Sequence, residues 1–390
     1  MPRTRTDRAP LPQGFWTIWT TVALDLVGFG IVVPILGRYA ERYGASGLEV
    51  GLLFASFSLA QFVCSPLLGR LSDVVGRKPV IVVSLVGTAI GSFVTGVGGA
   101  LWVLFLGRVL DGASGASVAV AQGAITDVAT PEERPRLLGL LGAAFGVGFV
   151  VGPALGGLAS LGGEHVPFFV AAAIALANAV AALVRLPETR KVRRDAPAPP
   201  RSGRAARLWG FAVVGFVAIV AFSGFEATFS LLAGDRFGLE EGGIAAVFVG
   251  VGVLLVVVQA GVVRPVNERI GTAGSLQVGL VLNAAGLGLL AVAETWAVLV
   301  PALALLTIGQ GLVSPNLSTL VSLGVPDHQR GEALGFQQGA NGIGRVLGPV
   351  LAGVLYDRVS IGAPYLVGGA LCLLAMSVLV APTRWRQAAT

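Results

Sequence analysis

Long apolar stretches separated by short polar connections run through almost the whole chain. A helix needs about 20 apolar residues to cross a hydrocarbon core of about 30 Å, and most of the stretches have this length. Cutting the chain at its charge clusters and turn residues predicts twelve spans, at residues 15–37, 47–69, 79–99, 101–125, 137–159, 166–185, 209–233, 243–263, 274–293, 297–321, 334–356 and 362–382. The pattern therefore predicts an all-α integral membrane protein.

The composition supports this class and excludes others. Of the 390 residues, 54% are hydrophobic and 12% are charged, whereas soluble domains contain about 25% charged residues. The 56 glycines lie mainly inside the apolar stretches, where small residues let membrane helices pack closely. Both cysteines also lie in apolar stretches, so neither a disulfide framework nor a metal site is expected.

Lysine and arginine are distributed unevenly between the two sides of the predicted bundle. Most of the 27 cations fall on the side of the N-terminus, whereas Arg38, Arg42, Arg236 and Arg358 fall on the other side. Because cytoplasmic loops retain positive charge, this distribution predicts a multi-pass protein of the plasma membrane with both termini in the cytoplasm. The same rule explains the net charge of +6, so no nucleic-acid partner is expected.

The longest connection divides the chain in two. Residues 187–207 carry a proline-rich patch between arginines, which is typical of a flexible linker. The predicted organisation is a cytoplasmic leader at 1–14, a six-helix bundle at 15–186, the linker, a second six-helix bundle at 208–383 and a cytoplasmic tail at 384–390.

The two bundles are predicted to be repeats of one another. A shift of 195 or 196 residues aligns small residues of the first half with those of the second: Gly76 with Gly271, Gly148 with Gly344, Gly152 with Gly348 and Pro153 with Pro349. Parallel six-helix repeats that move around a central site are typical of secondary transporters. The repeat therefore favours transport over a structural role.

The connection between spans two and three reads GRLSDVVGRKP from Gly69. Gly69 and Gly76 permit a close helix approach and a tight turn. Asp73 is a carboxylate at a helix end, which can accept hydrogen bonds from Arg77 or from the N-terminus of a neighbouring helix. The segment resembles motif A of the major facilitator superfamily. This resemblance implies the superfamily's twelve-helix fold and a conformational gate that includes Asp127; the alternative is that these charges only fix the topology.

Span five contains Gly148, Gly152 and Pro153 within the sequence GFVVGPALGG. Glycines four residues apart form a flat helix face, and the proline supplies a kink or hinge. The segment resembles the motif of proton-coupled antiporters within the superfamily. That resemblance implies efflux rather than uptake; the alternative for each glycine is simple packing.

Further motifs narrow the resemblance. Span one reads ALDLVGFGIVVP, span four opens with GRVLDG, and span two carries Gln61. Together they resemble the drug/proton antiporters with twelve helices, including the tetracycline efflux pumps and their relatives. Where those pumps carry acids in spans three and nine and a histidine in span eight, this chain has Gly91, Asn283 and Val256. These differences favour a substrate other than tetracycline, or a broader range.

Two acids lie in the middle of apolar spans. An ionised side chain there costs at least about 2.5–3.5 kcal/mol, so each needs a reason. Asp25 has apolar neighbours on both sides, and desolvation favours its neutral form, as a proton carrier requires. Glu226 is interpreted as holding the corresponding place in the second half. The alternative for either acid is a structural pairing with an arginine.

The remaining polar groups inside spans are candidates for a substrate cavity. Arg108 stays charged and is expected to attract a carboxylate or a substrate anion, while Asp111 either neutralises it or shares its function. Arg345 is expected to complement Glu226 or to line the cavity. The other cavity candidates are Gln61, Gln259, Asn283, Gln338 and Asn341. Phe29, Phe145 and Phe225 are candidates for apolar walls, and the alternative for each, its default role, is core packing.

The sequence favours a transporter over an enzyme. It contains no phosphate-binding loop and no metal-ligand spacing, so no cofactor is expected, and the resemblance implies a proton gradient as the energy source. The expected partners are a small amphipathic substrate, protons and the lipid bilayer, with the protein as a monomer. The alternatives are an exporter of a sugar or metabolite, an uncoupled facilitator, and a membrane scaffold or receptor that has lost transport.

Overall fold

The computed structural model describes residues 11–12, 14–130, 133–189, 205–325 and 330–380. Most of the predicted leader, most of the linker and the predicted tail lie outside these ranges. The described residues contain the helices α1 Phe15–Glu41, α2 Gly47–Val75, α3 Arg77–Val97, α4 Leu101–Ser114, α5 Ser117–Val128, α6 Arg134–Ser160, α7 Val166–Arg185, α8 Ala205–Phe237, α9 Glu241–Val257, α10 Val263–Ala291, α11 Trp296–Leu323, α12 Arg330–Arg358 and α13 Ala363–Val380.

The predicted all-α membrane architecture is confirmed. Among the described residues, nine helices are long and apolar enough to cross a bilayer. One of them covers residues 241–291 and contains two passes, because its backbone turns at Gly271. The more polar α12 and the shorter α13 supply two further passes, so the helices form the predicted twelve spans in two six-helix halves.

Two spans differ from the single regular helices that the pattern predicts. Span four was expected as one helix, but α4 and α5 are separated by a turn at Gly115 and Ala116. Span eight was also expected as one regular helix, but a π-helical turn at Val258–Val262 lies inside it and joins α9 to α10. The backbone turn at Gly271 falls within the connection predicted after span eight. Hydrophobic patterns do not reveal such features, because a turn at membrane depth depends on which side chains satisfy its backbone groups.

The repeat is visible in the backbone. Gly76 has φ 113° and ψ 156°, and its repeat partner Gly271 has φ 74° and ψ 164°. A positive φ of this kind strains any residue with a side chain. The two halves therefore turn at the same point, after the second helix of each repeat.

The span-five glycines let α6 pack against α1. A Cβ atom built on Gly30 would lie 2.3 Å from the carbonyl oxygen of Gly148, and one on Gly152 would lie 2.6 Å from the Cα of Gly30. In the second half, a Cβ on Gly348 would lie 2.5 Å from the carbonyl oxygen of Val220 in α8. The α6 helix runs through Pro153 without interruption.

The two halves contact each other closely toward one end of the molecule. A Cβ on Gly51 would lie 2.2 Å from the carbonyl oxygen of Pro349, and one on Gly353 would lie 2.3 Å from that of Gly47. We call the end with loops 42–46 and 359–362 the sealed end. The backbones of α2 and α12 meet there without room for side chains.

The opposite end, where the Gly76 turn lies, is open. Glycines on the helices that face the other half there would meet no atom of the described residues within 4 Å of an added Cβ; they are Gly69, Gly139, Gly142, Gly261, Gly335 and Gly339. We call this the open end. The structure thus has the form of two bundles hinged apart at one end.

Candidate functional site

The break in the fourth span organises a polar cluster in the first half. The amide of Gly115 bonds to the carbonyl of Gly112 at 3.0 Å, and that of Ala116 bonds to the carbonyl of Ser114 at 2.8 Å. These tight bonds leave the carbonyl of Gly115 free for Gln61, whose Nε2 donates to it at 2.9 Å. The predicted cavity residue Gln61 therefore satisfies the broken backbone, which lipid would not tolerate unpaired.

Asp25 lies directly beside this break. The hydroxyl of Ser117, the first residue of α5, donates a hydrogen bond to the Asp25 carboxylate. The amino-terminal end of a helix carries partial positive charge. Partial burial favours the neutral form of Asp25, whereas the hydroxyl and the helix end favour the ionised form. Two opposed influences of this kind suit a group that gains and loses a proton.

Arg108 and Asp111 form a buried ion pair near this site. The Nη1 of Arg108 lies 2.9 Å from the Oδ2 of Asp111, and the two residues are 2% and 7% exposed. The guanidinium also stands 4.2 Å from the ring centre of Phe57, which packs against Phe29. Asp111 thus neutralises Arg108, while the Arg108 Nε is buried and finds no hydrogen-bond partner among the described residues.

Glu226 is half-buried in α8 and is attracted electrostatically by the exposed Arg345 of α12. The two residues therefore lie in one region of the second half. The arrangement is looser than the pair between Arg108 and Asp111, because no direct ion pair of Glu226 is found among the described residues.

The expectation that Glu226 corresponds in position to Asp25 is wrong. Gly152 of α6 and Gly348 of α12 are repeat partners. Gly152 approaches the carbonyl of Val27 in α1, and Gly348 approaches the carbonyl of Val220 in α8. The counterpart of Asp25 is therefore Ala218. Glu226 lies about two helical turns further toward the sealed end. Comparing the sequences of α1 and α8 alone could not reveal this offset, because the glycines that align the two helices lie in α6 and α12.

The other cavity candidates lie in different surroundings. Gln259 and Gln338 are exposed, whereas Asn341 has a buried Oδ1 that has no hydrogen-bond partner in the described part of the chain. Asn283 is 1% exposed, and its Nδ2 lies 3.3 Å from the Oε1 of Gln310. Asn283 is thus placed between α10 and α11, inside the second half.

The phenylalanines considered for the cavity walls also differ in their exposure. Phe145 is 37% exposed, but Phe225 is 2% exposed. The ring of Phe225 packs against Phe229 and Phe248, with ring centres 5.2 and 6.3 Å away. Phe225 is therefore a packing residue, its default role, and does not line the cavity.

The motif A residues meet in one cluster at the open end. The Arg77 guanidinium lies 2.7 Å from the Oδ1 of Asp73 and 2.9 Å from the Oδ2 of Asp127. It also donates to the hydroxyl of Ser72 at 2.6 Å. The predicted bond between Asp73 and Arg77 is present, and Asp127 joins it through Arg77, so the end of α2, the start of α3 and the end of α5 are joined.

Glu188 completes this cluster and was not predicted. Its carboxylate accepts the amide of Arg77 at 2.9 Å and that of Lys78 at 3.2 Å. A Cβ on Gly76 would lie 2.5 Å from the Glu188 Oε2, so the carboxylate needs a glycine at the turn. Nothing near Glu188 in the sequence indicates this cap, because its partners are more than a hundred residues away.

The arrangement of two repeated six-helix bundles with a motif A cluster agrees with the comparison to known families. The Major Facilitator Superfamily model matches residues 18–277 and 262–389. The chain belongs to the major facilitator superfamily.

Relatives within the superfamily confirm the resemblance to drug efflux pumps. The chain is 33% identical over 376 residues to the tetracycline resistance protein, class C, of Escherichia coli, covering 92% of this chain and 94% of the relative. It is 26% identical over 369 residues to multidrug resistance protein 1 of Bacillus subtilis, covering 93% and 94%.

Solved structures of the superfamily have the same fold. The human organic anion transporter MFSD10 superposes with a TM-score of 0.73 at 25% identity, covering 94% of this chain and 98% of that one. The nucleoside transporter NupG superposes with a TM-score of 0.76 at 15% identity, covering 94% and 99%. The second likeness concerns the fold alone.

Proposed function

We propose that the protein is a proton-coupled exporter of small amphipathic compounds that works by alternating access. The observation that carries the proposal is Asp25, held by Ser117 at the break of the fourth span. An ionisable group inside a membrane bundle is expensive and marks an ion or substrate pathway. The coupling role of Asp25 goes beyond the family assignment and is the part that needs a test.

We place the open end in the cytoplasm of a plasma-membrane protein. The excess of lysine and arginine lies on this side of the sequence, as expected for cytoplasmic loops. In this orientation the bundles are apart on the side from which an exporter collects its substrate. Both chain termini are then cytoplasmic, and a single chain suffices for the cycle.

The proposed cycle links substrate and proton through one state of the site. Substrate enters from the cytoplasm while Asp25 is ionised, and the halves then open toward the other side. Protonation of Asp25 there favours release of the substrate. The differential affinity of proton and substrate for the two states is sufficient to drive exchange, so we propose the proton gradient, rather than ATP, as the energy source.

The amphipathic substrate class is supported by the relatives and by the site. The relatives bear names of tetracycline and multidrug resistance proteins, and Phe29 and Phe57 offer aromatic surface beside the polar cluster. A Cβ on Gly91 would lie 2.6 Å from the amide nitrogen of Asp111. Since no acid fits at this position, we propose a substrate other than tetracycline or a broader range.

The test is substrate-driven proton movement in proteoliposomes. Purified wild type and Asp25→Asn would be compared with an internal pH dye and an imposed proton gradient, over cationic, zwitterionic and neutral drugs. We expect at least one drug to move protons with wild type, and the variant to fall to the background of protein-free vesicles. Glu226→Gln is the matched control, because it removes the other half-buried acid and is expected to retain coupling.

Three results of this assay would contradict the proposal, each in a different way. If drugs move without protons in wild type, the protein is a facilitator. If Asp25→Asn couples as well as wild type, Asp25 is structural. Loss of coupling in Glu226→Gln but not in Asp25→Asn would transfer the proton-carrying role to the second half.

A further inference from the structure

A carboxylate of the second half binds the start of a helix of the first half at the sealed end. Asp357, near the end of α12, accepts the amide of Gly47 at 2.8 Å and the amide of Leu48 at 2.7 Å. Both amides belong to the first turn of α2. The contact therefore joins the two halves through one side chain.

The local sequence leaves these two amides to Asp357. The first amides of any helix have no partner within the helix. In α2 the Ser46 hydroxyl accepts the amide of Glu49, and the Glu49 carboxylate accepts the amide of Ser46. This capping box leaves the amides of Gly47 and Leu48 unpaired. A carboxylate is the favoured partner there, because the helix start carries positive charge.

Gly47 is fitted to this carboxylate. A Cβ atom on Gly47 would lie 2.6 Å from the Asp357 Oδ1, so any larger residue displaces the acid. Arg42 makes a second bridge between the halves, with its Nη2 2.7 Å from the Oε1 of Glu241. The Arg42 side chain is 48% exposed, so water and salt weaken that bridge. Asp357 is exposed as well, but its carboxylate accepts two backbone amides at once, so its contact has the more defined geometry.

We propose that Asp357 is a latch residue that holds the sealed end closed and must release α2 whenever that end opens. The helices α2 and α12 run in opposite directions, and each has an acid near its end. At the open end, Asp73 is 58% exposed in its side chain and bonds to Arg77 of its own half. At the sealed end, Asp357 bonds across the halves. This inference rests on the proposed alternating-access cycle.

The test measures how far the sealed end opens, without substrate or flux. Spin labels at Leu161→Cys and Val359→Cys, which are 83% and 67% exposed in the wild type, report the distance between the halves. The native cysteines Cys64 and Cys372 are replaced, and distances are measured by double electron–electron resonance in lipid nanodiscs.

We expect Asp357→Ala to increase the long-distance population about fivefold relative to the short one, as for the loss of a helix cap. Gly47→Ala keeps the acid but displaces it, and is expected to have a similar effect. The two changes together should not add, because they break one contact. Asp357→Asn keeps an acceptor oxygen and should give an intermediate result.

Asp235→Ala is the matched control. Asp235 is an exposed acid of the same end, and it accepts the Tyr356 hydroxyl at 2.7 Å within its own half. A shift in Asp357→Ala but not in Asp235→Ala supports the latch. If Asp357→Ala leaves the distances unchanged, or if Asp235→Ala shifts them equally, the latch is refuted. Failure of proton coupling in the liposome assay would not alter these distances, so the two proposals fail separately.

Discussion

The third and fourth spans cross in the same way in both halves, but with opposite chemistry. A Cβ on Gly91 would lie 2.6 Å from the amide nitrogen of Asp111, and one on Gly286 would lie 2.5 Å from the amide nitrogen of Leu306. The backbones are thus equivalent at this crossing. The first half places an acid where the second half places a leucine.

The difference extends to the other members of the polar cluster. The repeat positions of Arg108 and Ser117 are Leu303 and Leu312, which are 8% and 2% exposed. The helix α11 also continues without a break where the fourth span is interrupted. The second half shows that this fold needs neither the ion pair nor the broken helix. Their presence in the first half is therefore best explained by function.

The largest expected effect comes from breaking the ion pair on one side only. Asp111→Leu leaves Arg108 buried and still charged, which is expected to cost about 3–5 kcal/mol of the free energy of unfolding. The double variant Arg108→Leu with Asp111→Leu copies the leucines of the second half. Because hydrophobic replacement of a whole buried pair is often neutral or stabilising, we expect it to fold at least as well as wild type.

The measurement is thermal unfolding in detergent, followed by the liposome proton assay. The double variant should unfold near the wild-type temperature but lose proton coupling. If the double variant is as unstable as Asp111→Leu, the two crossings are not equivalent. If it is stable and still couples protons, the ion pair has no role in coupling. The difference between the two halves would then not reflect function.

A smaller effect is expected at the hydroxyl beside Asp25. Ser117→Ala removes a hydrogen bond to a carboxylate, a contact that contributes about 1.5–3 kcal/mol. Its loss disfavours the ionised form, so proton release needs a higher pH. We therefore expect the pH of half-maximal transport to rise by about one to two units, while the maximal rate at high pH changes little.

Ser223→Ala is the matched control for this change. The Ser223 hydroxyl lies in α8, the repeat counterpart of the helix α1 that carries Asp25, and donates to the backbone carbonyl of Ile219 at 2.7 Å. Among the described residues its hydroxyl bonds only to backbone carbonyls and not to an acid, so its variant should keep the wild-type pH profile. A shift of both profiles, or of neither, would contradict a specific action of Ser117 on Asp25.

The sequence was sufficient for the features that depend on local pattern. Apolar length predicts the spans, and the repeated glycines predict that α6 and α12 pack alike. The break of the fourth span, the distance of Glu226 from its expected place and the packing of Phe225 depend on contacts between helices. Glu188 and Asp357 bond to amides far away in the chain, and such partners have no signal in a single sequence.

The smallest effect concerns the two glycine turns. The turn at Gly76 is capped by Glu188, whereas near the turn at Gly271 the acid Glu268 pairs with Arg264 on the exposed helix surface. We expect Glu188→Ala to lower the free energy of unfolding by about 1 kcal/mol, as for the loss of a helix cap. Glu268→Ala should hardly change it, since exposed pairs contribute little. Thermal unfolding of the two variants side by side measures the difference. Equal losses would mean that the Glu188 cap adds no stability beyond that of a surface charge, and the contrast between the two turns would then lie only in the association of Arg77 with Asp73 and Asp127.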